Sequence, residues 1–178
     1  LSFVFAADFR ADDAPKDDGF VALFNGVDLK GWGGNTDGYK ATDGVLVCQA
    51  GKSKGGKIYT AKEYADFIFQ FDFKLTPGAN NGVGIRAPLT GNPFKNAFEI
   101  QILDNSAKKY AKIKPTQFHG SIYKRAAAKR GHLKPVGQWN KQEIRAEKNL
   151  ITVILNGVRI VDRADVARYK KPAKGHIC

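Results

Sequence analysis

The chain has 178 residues, 43% of them hydrophobic and 11% aromatic, enough for one domain with a substantial core. No run approaches the roughly 18 apolar residues of a membrane span, and two cysteines make neither a disulfide framework nor a metal cluster. The net charge of +12 admits a polyanionic partner, but no helix-turn-helix pattern, zinc-finger spacing or RNP-type strand supports binding to nucleic acid.

In chain order, Leu1 to Ala7 reads as the end of a leader's apolar region, with small residues before a cleavage point. The acidic, proline-containing stretch from Asp8 to Asp18 reads as the tether behind it. The alternative for the first residues is an ordinary N-terminal strand. The leader assigns residues 1–18 to a remnant and tether, residues 19–178 to one domain, and the protein to a secreted or periplasmic location. Cys48, in the apolar run Val45-Leu46-Val47-Cys48, is expected to be a small buried hydrophobe.

Period-two alternation dominates the rest of the chain and favours strands over helices. Phe67, Phe69, Phe71, Phe73 and Leu75 fall on one face, with Ile68, Gln70, Asp72 and Lys74 on the other, as in a half-buried antiparallel strand. Pro77-Gly78 ends it. Val83 and Ile85 then face one way, with Gly84 and Arg86 opposite. In the next strand, residues 97–103, Phe98, Ile100 and Ile102 alternate with Glu99 and Gln101. If the two strands are neighbours, Arg86, Glu99 and Gln101 share a polar face suited to a sugar-binding groove.

Between Asn105 and Gln142 there is no acidic residue but ten cations: Lys108, Lys109, Lys112, Lys114, Lys124, Arg125, Lys129, Arg130, Lys134 and Lys141. Such a block reads first as a solvated basic face on long loops, and otherwise as a track for an anionic polymer. A strand from Gln142 to Ala146 turns at Lys148-Asn149. Runs 151–155 and 158–161 flank Asn156-Gly157, a pair suited to the two positive φ angles of a type I′ hairpin. Short strands with frequent turn signals and almost no helical periodicity predict an antiparallel β-sandwich. Gly82-x-Gly84-x-x-Ala87 is no dinucleotide fingerprint, because it lies in a strand that runs into Pro88 with no helix after it.

The run from Gly19 to Trp32, which ends in Phe24-Asn25-Gly26-Val27-Asp28-Leu29-Lys30-Gly31-Trp32, resembles the opening of the 3-keto-disaccharide hydrolase family. Further blocks follow in that family's order. They are Asp43-Gly44-Val45-Leu46, Tyr64-Ala65-Asp66-Phe67, the segments 77–86 and 98–104, His119-Gly120-Ser121-Ile122-Tyr123, the segment 134–140 and Leu155-Asn156-Gly157. The resemblance implies an all-β, jelly-roll sandwich of the concanavalin A-like type. It also implies that a closing C-terminal strand beyond Cys178 is missing, with a sheet edge left unpaired.

The implied chemistry acts on glycosides oxidised at C3. The 3-keto group acidifies the C2 proton, so the glycosidic bond breaks by elimination and the enone is hydrated. A base, an acid and an enolate-stabilising group are needed, and a divalent metal is one such stabiliser. Glu99 is the first choice for acid or base, against a purely structural ion pair with Arg86. His119 is the histidine chosen for proton transfer, against a solvated loop residue. Arg86 and Gln101 are expected to hold the sugar, and Asp104 to bind substrate or metal or to cap a turn. Tyr123, Trp32 and His132 complete the expected carbohydrate-binding set. Trp139 is read as a core anchor, and His176 is left without a role. The rival functions are a non-catalytic carbohydrate-binding module, a conventional two-carboxylate glycosidase and a polyanion binder.

Overall fold

The computed structural model describes residues 3–6, 19–49 and 56–178. Its strands are β1 (Phe3–Ala6), β2 (Trp32–Gly34), β3 (Tyr39–Thr42), β4 (Val45–Cys48), β5 (Ile58–Thr60), β6 (Phe67–Leu75), β7 (Asn80–Ile85), β8 (Phe98–Leu103), β9 (Trp139–Glu147), β10 (Leu150–Leu155) and β11 (Val158–Asp165). Among the described residues, helix is confined to one short α-helical turn, Pro93–Asn96, and three single 3₁₀ turns. The fold is an antiparallel β-sandwich.

The first layer is a seven-stranded antiparallel sheet in the order β11-β10-β9-β6-β1-β4-β3. Its centre is the alternating strand β6. Phe71, Phe73 and Leu75 are buried, and Phe67 and Phe69 partly so, while Ile68 and Gln70 are exposed. Phe71 lies opposite Gln142 and Phe69 opposite Ile144 in β9, so the inward faces of the two strands coincide. β1, a strand as in the alternative reading of these residues, lies between β4 and β6. The expected tether, residues 8–18, and residues 1, 2 and 7 of the expected leader lie outside the described residues. The Asn156-Gly157 turn joins β10 to β11 with φ of 50° and 83°, the geometry expected from sequence.

The second layer contains the pairs β2–β5 and β7–β8, joined by the last residues of the chain. Thr60 N–H donates to the Ile177 carbonyl on one side. On the other, Cys178 exchanges both backbone hydrogen bonds with Gly84, and His176 both with Ala87. Gly175–Cys178 thus runs between β5 and β7. Beyond β8, the segment 120–123 continues the layer, with Gln101 N–H donating to Ser121 and Tyr123 N–H to Glu99.

The core lies between the layers. Phe73, Ile144, Ile151 and Val153 from the first meet Ile85, Ile100 and Ile122 from the second, all at 0% exposure. Each such side chain contributes about 1.5–3 kcal/mol of burial. This packing commits the inner face of the second layer to the core and leaves its outer face to other residues.

Candidate active site

Alternation along β7 and β8 decides what that outer face carries. Val83, Ile85, Phe98, Ile100 and Ile102 enter the core, so Gly82, Gly84, Glu99 and Gln101 must point outward. Gly84 pairs with Glu99 and Gly82 with Gln101. The Glu99 side chain lies across Gly82 in the space that any Cβ there would occupy. Glu99 is 8% exposed, and among the described residues no hydrogen bond holds its carboxylate. Burial pushes its pKa up to about 7, against the partly opposing charge of Lys124. Such a carboxyl group can take or give a proton near neutrality.

The neighbours of Glu99 are polar. Gln101 Nε2 donates to Asn80 Oδ1 at 3.3 Å. Tyr123, on the adjoining segment, accepts a hydrogen bond from Gln117 Nε2 at 3.1 Å through its hydroxyl, which leaves the hydroxyl proton able to donate. Lys124 Nζ sits over the Tyr123 ring, 5.2 Å from its centroid.

The C-terminal segment extends the same face. Ile177 packs into the core, so its neighbours His176 and Cys178 turn outward. Cys178 packs with Tyr59, Ala87 and Ala97, and the Tyr59 and His176 rings meet edge-on with centroids 6.3 Å apart. His176 Nδ1 lies 2.7 Å from the Thr60 carbonyl oxygen. A carbonyl can only accept, so Nδ1 carries a proton. Glu63 Oε1 lies 3.8 Å from Nε2. Sequence reading gave His176 no role, although its alternation with Ile177 was a signal that it faces away from the core.

Three expected site residues are consumed elsewhere. Arg86 donates to the carbonyls of Ala65 at 2.7 Å and Lys148 at 2.6 Å, and to Asp66 at 3.1 Å. It does not reach Glu99. Ile177 faces two residues, Ile85 and Arg86, and the extra one, Arg86, has φ of 54°. This bulge breaks the alternation that would have aligned Arg86 with Glu99. His119 lies between the layers, stacked on Phe73. Its Nδ1 accepts from Leu103 N–H at 3.2 Å, which makes Nε2 the donor to Gln142 Oε1 at 3.0 Å. Burial pushes its pKa down to about 4, with the Gln142 bond partly opposing, so it is a neutral core histidine rather than a proton carrier beside Glu99. Asp104 caps a turn, accepting from Gly78 N–H at 2.7 Å and from the Ser106 N–H and hydroxyl at 2.9 and 2.6 Å.

The remaining expectations divide. Trp32 is half-buried: it packs against the cluster of Phe24, Leu46 and Ile58, with its indole nitrogen buried and unpartnered among the described residues, and it lines a recess between β2, β5 and the C-terminal segment. His132 lies beside the Asn156 turn, whose side chain donates to the His132 carbonyl, and is not brought to Glu99. Trp139 is no core anchor: it is 36% exposed on the outer face of the first layer, with Lys74 Nζ over its ring. Among the described residues no group of three or more His, Cys, Asp or Glu side chains could hold a metal ion, so the donor set does not fit one.

The family described as the 3-keto-alpha-glucoside-1,2-lyase-like domain matches residues 19–178. A curated relative, the 3-keto-disaccharide hydrolase of Bacteroides thetaiotaomicron, is 26% identical over 171 residues, covering 82% of this chain and 59% of that protein. The chain thus spans about three fifths of that relative's length. A crystal structure of a candidate glycosyl hydrolase from Parabacteroides distasonis superposes with a TM-score of 0.73 at 29% identity, over 84% of this chain and 85% of the other. Carbohydrate-binding module CBM66 from Bacillus subtilis has a TM-score of 0.50 at 13% identity, over 83% of this chain and 84% of its own, a likeness of fold alone.

Proposed function

The chain belongs to the 3-keto-alpha-glucoside-1,2-lyase-like family, and from that premise we propose that it cleaves 3-keto-glycosides by elimination followed by hydration. The observation that carries the proposal is Glu99, a buried carboxyl group poised near neutrality on the open face of the second layer. Ionised Glu99 takes the proton from C2, which the neighbouring ketone acidifies. The electrons of that C–H bond form the C1–C2 double bond as the C1–O bond breaks. The leaving oxygen takes a proton, returned by Glu99 or supplied by water. Water then adds to the enone at C1, and the net products are a 3-keto sugar and an alcohol.

Charge develops on the C3 oxygen during proton removal, so donors aimed there accelerate the step. The Lys124 ammonium, whose charge acts on Glu99, and the Tyr123 hydroxyl, on the segment paired with Glu99, are suited to that role, and Gln101 to a sugar hydroxyl. Arg86 and His119 take no part, because their polar atoms are already engaged.

The test is turnover of methyl 3-keto-glucoside against its unoxidised parent. Cleavage of the keto sugar alone, reduced at least about 100-fold in Glu99→Gln, is expected. Cleavage of the parent would mean a conventional glycosidase, and binding without cleavage of either would mean a non-catalytic carbohydrate-binding domain.

A further inference from the structure

Residues 105–130 close one edge of the sandwich. Segment 120–123 lies outside β8 in the second layer, with Gly120 N–H donating to Gln101 and Tyr123 N–H to Glu99. From there the chain crosses to the first layer, where Lys129 N–H donates to the Ile160 carbonyl of the edge strand β11. Two loops frame this edge. The earlier one carries Lys108, Lys109, Lys112 and Lys114, and the later one Lys124, Lys129 and Arg130, all exposed. The loops meet: Lys124 N–H donates to the Thr116 carbonyl, and the Arg130 guanidinium lies over the Phe118 ring.

These charges stand without counter-charges. Ion pairs among the described residues hold Arg86, Arg145, Arg159, Arg163 and Lys174. None of the cations between residues 105 and 130 has such a partner there. Asp104, at the start of the segment, is already engaged by Gly78 and Ser106. Like charges gathered on one edge repel, which destabilises the protein until an anion binds.

The form of the edge discriminates among polyanions. Tyr110, Phe118 and Tyr123 are each buried or half-buried, with a cation 4.9, 3.9 and 5.2 Å from the ring centroid. Rings covered in this way are not open platforms for the base stacking on which single-stranded nucleic acid depends. Helix here is limited to the 3₁₀ turns Lys108–Tyr110 and Pro115–Gln117, so no long helix is available to enter a duplex groove. What remains is an open surface of spaced point charges, suited to the carboxylates or sulfates of an acidic polysaccharide. The same edge adjoins Glu99, on which the Lys124 charge acts.

We infer that this edge binds a linear acidic polysaccharide through Lys108, Lys109, Lys112, Lys114, Lys129 and Arg130, and holds the polymer beside the Glu99 face. Binding here is independent of any chemistry at Glu99.

The test is calorimetric titration with polygalacturonate, neutral dextran and single-stranded DNA. Polygalacturonate is expected to bind, and to lose at least about tenfold in affinity between about 50 and 200 mM salt. Dextran should not bind, and DNA of equal charge should bind more weakly. The triple variant Lys108→Gln, Lys112→Gln, Lys129→Gln should weaken polygalacturonate at least about tenfold. The triple Lys30→Gln, Lys40→Gln, Lys62→Gln removes the same charge beside β2 and β5 and on β3, at the far side of both layers, and should not weaken it. All six side chains are exposed, and relief of repulsion should keep the melting temperature of the first triple at or above wild type. Glu99→Gln protein should bind polygalacturonate as wild type does, so lost turnover with retained binding counts against the elimination and not against this edge. No binding of polygalacturonate, equal weakening by both triples, or equally tight binding of DNA overturns the inference.

Discussion

Glu99 and His119 are 8% and 3% exposed, yet burial serves different ends at the two positions. Glu99 faces outward without a hydrogen-bonded partner among the described residues, whereas His119 is bonded at both ring nitrogens between the layers. If Glu99 is the base, only its ionised form is active, so kcat/KM should rise with pH through about 7, measured as a pH–rate profile on the 3-keto-glucoside. His119→Gln should behave otherwise. Disturbing its two buried bonds should cost about 1–3 kcal/mol, seen as a lower denaturant midpoint, while kcat/KM of the folded fraction stays near wild type. A comparable loss of kcat/KM in His119→Gln would place the histidine back in the chemistry.

At the scale of elements, the bulge at Arg86 and the strand Gly175–Cys178 form one device. Arg86 leaves the outer face and ties β7 to residues 65, 66 and 148, and the C-terminal strand fits against the bend. A Cβ at Gly175 would lie 2.5 Å from the Arg86 carbonyl carbon and 2.9 Å from the Ala87 nitrogen, backbone atoms that cannot move aside cheaply. Gly175→Ala is therefore expected to destabilise by roughly 1–3 kcal/mol, read by thermal melting. An unchanged melting temperature would show that this strand does not need the close approach.

At the scale of the whole molecule, the two buried groups oppose each other in their effect on stability. Glu99 has a native pKa near 7 against an ordinary 4.5. Between these values the unfolded state holds fewer protons, so stability falls as pH rises from 4.5 to 7. His119 has a native pKa near 4 against an ordinary 6.5. Between these values the unfolded state holds more protons, so stability rises with pH from 4 to 6.5 and is lost again on acidification. Each effect is at most about 3 kcal/mol, and over the shared range they largely cancel. Wild-type unfolding midpoints should thus be nearly flat between pH 4.5 and 6.5. Glu99→Gln should become steadily more stable across that range, and His119→Gln steadily less. Parallel curves for all three proteins would refute the cancellation.

The strand at 67–75, the hairpin at Asn156-Gly157 and the outward placement of Glu99 and Gln101 were legible in sequence, because each follows from alternation or turn chemistry within a few residues. The family was legible for a similar reason, as ordered local blocks. Arg86 was not, since one bulged residue reverses the face of a side chain and its partners lie 20 to 62 positions away. His119 was not, because a histidine before a short strand reads the same whether it enters a groove or fills the space between two sheets. Trp139 misled because an aromatic residue at a strand start can lie on either face. Local covalent geometry therefore determined the strands, the turns and the face carrying the acid. Only tertiary packing decided which polar residues were free to act, because burial and long-range hydrogen bonds set both their partners and their protonation.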